Sequence, residues 1–135
     1  MDNLFKFDLT CNSEGLYNVT PQVTQAIEKS GVKNGICVVY CPHTTAGVTL
    51  NEQADPDVAR DMVMELGKLV PWEDGYAHSE GNSAAHILAT LTGPGVWIPV
   101  ERGRLRLGRW QGLWFCEYDG PRDRELWLTA LKSAP

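Results

Sequence analysis

The sequence predicts an α+β domain: a mixed, mostly antiparallel, β-sandwich-like structure with three helices, in the order β-α-β-β-α-α-β-β-β-β. Three observations point there. The last third reads as short apolar strands divided by turn residues, with Asp119-Gly120-Pro121 the strongest turn. Two segments open with proline in the first helical turn, and a third is a helix-length apolar run ended by Gly93-Pro94. No repeat and no linker interrupts the 135 residues, so residues 1–135 form a single domain.

The elements follow in order. Leu4-Phe5-Lys6-Phe7-Asp8-Leu9 alternates weakly and reads as a strand. Thr20-Pro21 starts a helix with Thr20 as its N-cap, an apolar face from Val23, Ala26 and Ile27, and a stop at Gly31. Gly35–Cys41 is a continuous apolar run between turn signals, hence a central strand that Pro42 ends. Gly47–Asn51 is the next strand. Asp55-Pro56 caps a second helix, whose Val58, Met62, Leu66 and Leu69 recur at helical spacing and predict a buried face. Asp57, Asp61 and Glu65 form an acidic stripe beside it, read as a solvated face with Asp57 favourably placed at the helix N-terminus. The third helix starts near Ser79 or Gly81; it is too apolar for a wet surface, so His86 within it is expected to be buried and to need a partner. Val96–Val100, Leu105–Leu107, Gly112–Tyr118 and Arg124–Ala130 complete the strands.

Composition narrows function. The net charge of −5 argues against a general nucleic-acid binder. The first 100 residues carry 5 basic and 12 acidic groups, whereas residues 101–135 carry 7 basic and 5 acidic ones. This local reversal makes Arg104, Arg122 and Arg124 candidates for anion binding, since guanidinium forks suit phosphate. The bland reading of the same arginines is solvated strand faces. No signal pattern and no membrane-length apolar run is present, so no membrane partner and a cytoplasmic location are expected. The four cysteines show no CxxC pair. Cys37 and Cys41 share a strand face, and all four read as reduced, packed thiols. No phosphate-cradling glycine loop and no GxSxG elbow occurs.

The chain has three histidines. His43 opens His43-Thr44-Thr45-Ala46-Gly47, while His78 and His86 bracket a Ser/Gly/Asn-rich segment. A catalytic zinc site takes three protein ligands and leaves a position for water, and these imidazoles can supply the three. The alternative is three unrelated histidines, each satisfied locally. Asn51, Glu52 and Asn82 could orient ligands or bind substrate. Trp110, between two strands and followed by Gln111, could line a pocket. Asn51, Glu52, Asn82, Trp110 and Gln111 are thus the candidate catalytic residues.

The series His43-Thr-Thr-Ala, Asn51-Glu52, Asp55-Pro56-Asp57 and His78…Gly81-Asn82…Ala85-His86 resembles the YjbQ-type family, also called secondary thiamine-phosphate synthase. The match continues through Gly103-Arg104-Leu105, Gly108-x-Trp110-Gln111-Gly112 and Glu117-x-Asp119-Gly120-Pro121-Arg122-x-Arg124. One departure is Thr45, where serine is as often expected. The resemblance implies a mixed α/β sandwich-like fold, a homotrimer, and a weak ability to join a pyrimidine pyrophosphate to a thiazole phosphate. Such a transferase must hold two phosphorylated partners and neutralise departing pyrophosphate, tasks suited to arginines and a divalent metal, zinc foremost. The competing classes are a non-catalytic trimeric ligand-binding or regulatory protein and a zinc-dependent hydrolase.

Overall fold

The computed structural model describes residues 4–134. Its strands are β1 (Leu4–Cys11), β2 (Gly15–Asn18), β3 (Gly35–Tyr40), β4 (Ala46–Glu52), β5 (Gly95–Glu101), β6 (Arg104–Leu105), β7 (Gln111–Glu117) and β8 (Arg122–Lys132). The helices are α1 (Thr20–Ser30), α2 (Pro56–Leu69) and α3 (Ser83–Thr92). Two sheets form, one in the order β1-β8-β3-β5-β6 and one in the order β2-β7-β4. Every strand pairing among the described residues is antiparallel. The expected α+β class and antiparallel sandwich are therefore present.

Period-2 alternation places the core. Cys37 and Val39 of β3, Ile98 and Val100 of β5, and Leu126, Leu128 and Ala130 of β8 turn inward from the larger sheet. They join Val48, Leu113 and Phe115 of the smaller sheet and Val23, Ala26 and Ile27 of α1 in one cluster. A second cluster gathers Ala84, Ala85, Leu88 and Ala89 of α3 with Cys116, Tyr118 and Val70. Helix α3 approaches β4 closely because Gly47 has no side chain. A Cβ there would lie 2.8 Å from the Gly93 carbonyl oxygen and 2.9 Å from a Thr92 methyl. The Val48 amide donates to that same Gly93 carbonyl.

Several local expectations are corrected. Strand β2 is additional, giving β-β-α-β-β-α-α-β-β-β-β. Its four residues have no apolar run of their own and become a strand only by pairing with β7. Thr20 is the first residue of α1 rather than its cap: its Oγ1 accepts from the Leu113 amide at 2.8 Å, so β7 takes the hydroxyl. Asp55 does cap α2, accepting from the Asp57 amide. The expected buried face of α2 is only partly covered, however: Val58, Met62 and Leu66 are half-buried, no residue of the helix is fully buried, and Leu69 is 67% exposed. Helix α3 starts at Ser83, because Gly81 at φ +81° turns the chain first. His86 is half-buried rather than enclosed.

Candidate functional site

Three chain segments enclose an open pocket of about 460 Å³. The loop after β3 supplies Pro42, His43, Thr44 and Thr45; the segment into α3 supplies His78, Glu80, Asn82 and His86; β8 supplies Arg122 and Arg124. An adjoining hollow shares His43, Thr44 and His86 and runs along α3 to Thr90 and Pro94.

His43 is placed by the end of a strand ladder. Tyr40 pairs with Trp127, so two positions further on the same register sets Glu125 of β8 against Pro42, which has no N–H to donate. The His43 ring fills the gap. Its Nε2 lies 2.9 Å from the Glu125 amide nitrogen and 3.1 Å from the Glu125 carbonyl oxygen. One ring nitrogen cannot both accept from the first and donate to the second. In one tautomer Nε2 accepts from the amide, and in the other it donates to the carbonyl, so either way the ring is held on the Glu125 backbone. Burial, then the nearby Arg124 guanidinium, push the His43 pKa below its ordinary value, so the ring is neutral near pH 7.

His78 and His86 face each other edge-on with ring centres 5.5 Å apart. His78 is exposed, on the loop, and His86 sits on the first turns of α3. Asn82 ties this segment to the β7–β8 turn. Its Nδ2 donates to Glu80 Oε2 at 2.9 Å and to Asp119 Oδ2 at 2.8 Å. Its own Oδ1 is buried and has no partner among the described residues. Because the side chain is drawn away, Asn82 does not cap α3 with its amide. Asp119 also holds Arg122, accepting from Nη2 at 2.8 Å and, through its carbonyl, from Nε at 3.0 Å.

Arg124 is enclosed beneath the pocket floor. Its Nε donates to Glu117 Oε1 at 2.7 Å, and its Nη2 donates to Glu117 Oε2 and to Thr45 Oγ1. Glu117 is fully buried and also accepts from the Asp119 amide. Burial alone would lower the Arg124 pKa; the bonds to Glu117 outweigh it and hold the guanidinium above its ordinary value.

The other predicted site residues lie elsewhere. In the β4–β7 ladder, Ala46 pairs with Glu117 beside the pocket, whereas Glu52 pairs with Gln111 at the opposite end. Asn51, Glu52, Trp110 and Gln111 therefore stand about 20 Å from the histidines at roughly 3.4 Å per residue. There Asn51 Oδ1 accepts from the Glu52 amide, Glu52 Oε2 from the Asp55 amide, and Gln111 Oε1 from the Gly108 amide. Trp110 is exposed and stacks under the Arg109 guanidinium at 4.7 Å. Arg104 is exposed on β6, at the end of the larger sheet away from His43. Of the predicted set, the structure thus gathers His43, His78, His86, Asn82, Arg122 and Arg124 in one place. Glu80, Thr45, Asp119 and Glu117 were not anticipated. Glu117 did carry a signal, as an acid inside the apolar strand Leu113–Tyr118 that must find a cation. All four cysteines are free and buried, and burial pushes the Cys41 thiol up to about 11, so none offers a nucleophile.

The donors fit a divalent metal in kind. Two imidazoles on one tetrahedral zinc would keep their ring centres about 5 Å apart, given zinc–nitrogen bonds of about 2.0–2.1 Å; His78 and His86 match this at 5.5 Å. The third ligand is not drawn in. Among the described residues no three His, Cys, Asp or Glu side chains are grouped so as to hold one ion. His43 remains on the Glu125 backbone. No helix among the described residues is long and apolar enough to cross a membrane.

Residues 5–133 match the family described as UPF0047 protein, YjbQ-like. A UPF0047 protein of Methanocaldococcus jannaschii is 47% identical over 129 residues, covering 95% of this chain and 94% of its own. The UPF0047 protein YugU of Bacillus subtilis is 43% identical, covering 90% and 93%. Among solved structures, a YjbQ/UPF0047 protein of Clostridium acetobutylicum superposes with a TM-score of 0.92 at 46% identity, covering 94% of this chain and 99% of its own. A protein of Aeropyrum pernix superposes at 0.91 with 36% identity, covering 96% and 98%.

Proposed function

The chain belongs to the UPF0047 YjbQ-like family, and on that footing we propose that it is a small transferase with thiamine-phosphate synthase activity, acting at the histidine pocket. The observation that carries this reading is the meeting of three imidazoles, two arginines and Asn82 in one open pocket from three separated segments. In the reaction, the thiazole nitrogen attacks the exocyclic methylene of the pyrimidine. A C–N bond forms, the C–O bond to pyrophosphate breaks, and pyrophosphate leaves with the electron pair. Little proton movement is needed, so catalysis is holding and charge neutralisation. Arg122 and Arg124 address the leaving group, and His43 lines the pocket beside them.

Charge accounting supports a cation at the imidazoles. Arg122 and Arg124 are matched against three carboxylates within hydrogen-bond or ion-pair range, Glu80, Glu117 and Asp119. Their own partners thus outweigh the two guanidiniums, and a pyrophosphate needs more positive charge. A zinc or similar ion on His78 and His86, with His43 released from Glu125, would supply that charge as a Lewis acid. The same reading includes a homotrimer, supported by the apolar outer face of the larger sheet: Trp97 is 71% and Leu131 51% exposed there.

The test is direct. Purified protein, with and without zinc or magnesium, is given the pyrimidine pyrophosphate and the thiazole phosphate, and thiamine phosphate is followed by mass spectrometry. Product that disappears in His86→Ala supports the reading. Binding of both substrates with no product at any metal concentration would instead make this a ligand-binding protein.

A further inference from the structure

We propose that Glu117 is a positioning residue that turns Arg124 into a fixed receptor for a phosphoryl anion. This rests on the reading of the pocket as a phosphate-ligand site. The Glu117 side chain is wholly enclosed and that of Arg124 is 5% exposed. A buried ion pair is weak support for stability, because desolvation of both charges offsets most of their attraction. The pair is also unlike a self-contained one. Glu117 takes the Nε edge of the fork with both carboxylate oxygens, and Thr45 takes the remaining capacity of Nη2 through Oγ1 and its carbonyl. The other terminal nitrogen, Nη1, bonds no described residue. Arg124 lines the pocket, and Nη1 is the nitrogen its bonds leave for a ligand there. The guanidinium is clamped on one edge and offered on the other.

The clamp extends to the second arginine. Glu117 Oε2 accepts from the Asp119 amide, and Asp119 grips Arg122 through its carboxylate and its carbonyl. One buried carboxylate thus fixes both the Arg124 fork and the turn that carries Arg122. Arg122 and Arg124 alternate along β8 and both reach the pocket. Pre-set donors of this kind bind a phosphoryl group without the entropy of ordering a free side chain.

Glu117 as positioner and Glu117 as mere countercharge predict opposite signs. Removing its charge leaves Arg124 unmatched, which by electrostatics alone should tighten anion binding. If Glu117 orders the fork, Glu117→Gln should weaken it. The experiment is calorimetric titration of the wild type, Glu117→Gln and Arg124→Lys with pyrophosphate, with zinc present, each checked for folding by circular dichroism. Zinc affinity, measured separately, serves as a control that a general loss of structure would also move. Both variants should bind pyrophosphate about tenfold or more weakly, the scale of one lost charged hydrogen bond, with zinc affinity unchanged. Arg124→Lys keeps the charge and loses only the fork, so wild-type pyrophosphate affinity in folded Arg124→Lys overturns the fixed-fork role even should Glu117→Gln fail to fold. Tighter or unchanged binding in the folded variants overturns the positioning role and leaves the phosphate-ligand reading standing. A wild type that ignores pyrophosphate overturns both.

Discussion

At the scale of single residues, the histidines were the legible part of the site. Three imidazoles set among Gly, Asn, Ser and Thr announced a gathering, and the fold brings them to one pocket. Their partners were not legible. Nothing in the local sequence says that His43 will replace a missing strand neighbour on Glu125, because that depends on where β3 ends against β8. Nor could spacing separate Asn82, at the pocket, from Asn51, which lies at the other end of β4. The placement of His43 has a pH consequence. Its folded pKa is lowered from 6.5, so the unfolded chain binds the proton more readily. Its contribution to stability is therefore complete above about 6.5 and is lost as pH falls through the folded value. Melting temperature followed from pH 7.5 to 5 should fall less steeply for His43→Gln than for the wild type; equal slopes would place the titration elsewhere. Arg122 is less committed, with 45% of its side chain exposed. Arg122→Ala should weaken pyrophosphate binding by about 1.5 kcal/mol, the lower end for a bond to a charged group because solvent screens it. Titration of the folded variant measures this, and full wild-type affinity would remove Arg122 from the site.

At the scale of elements, signals held where they were local and strong. Proline and aspartate set the start of α2 as expected, and the apolar runs of β3 and β7 became strands. They failed where a neighbour decided the outcome. Four residues became β2 only against β7, and Thr20 lost its capping role to the Leu113 amide. Helix α2 is the instructive case. Its apolar stripe has the right period, yet the helix rests on the small sheet mainly through Leu66 and leaves an apolar hollow of about 390 Å³ between α2, α3 and the sheet. Periodicity reports which face turns inward, not how closely it is covered. Leu66→Ala should accordingly cost about 1–2 kcal/mol in urea unfolding, below the roughly 2–5 of a fully buried leucine. Amide exchange in α2 should also proceed by opening at much less free energy than in β3 and β8. A loss near the upper end of that range, or equal protection, would mean that α2 is packed as a core helix.

At the scale of the whole molecule, fold class was legible because strands and helices could be counted, but their division into two sheets was not, since it rests on pairings such as β1 with β8 that are more than a hundred residues apart. That division has a consequence for assembly. The larger sheet turns Ile36 and Tyr40 of β3, Trp97 of β5 and Leu131 of β8 outward, each at least 45% exposed. A second apolar patch lies on the helices, where Leu69 and Leu91 are 67% and 65% exposed beside the hollow under α2. A two-fold dimer needs one self-complementary patch, whereas a closed three-fold ring joins two different patches head to tail. Two distinct apolar patches per chain favour the ring. A charge at the centre of either should then dissolve it. Sedimentation at micromolar concentration should show a trimer for the wild type and monomers for both Trp97→Glu and Leu91→Glu, with the monomers still folded because both side chains lie outside the core clusters. Dissociation by Trp97→Glu alone would indicate pairing sheet to sheet in a dimer, and a wild-type monomer would leave both patches for other partners and reject the trimer.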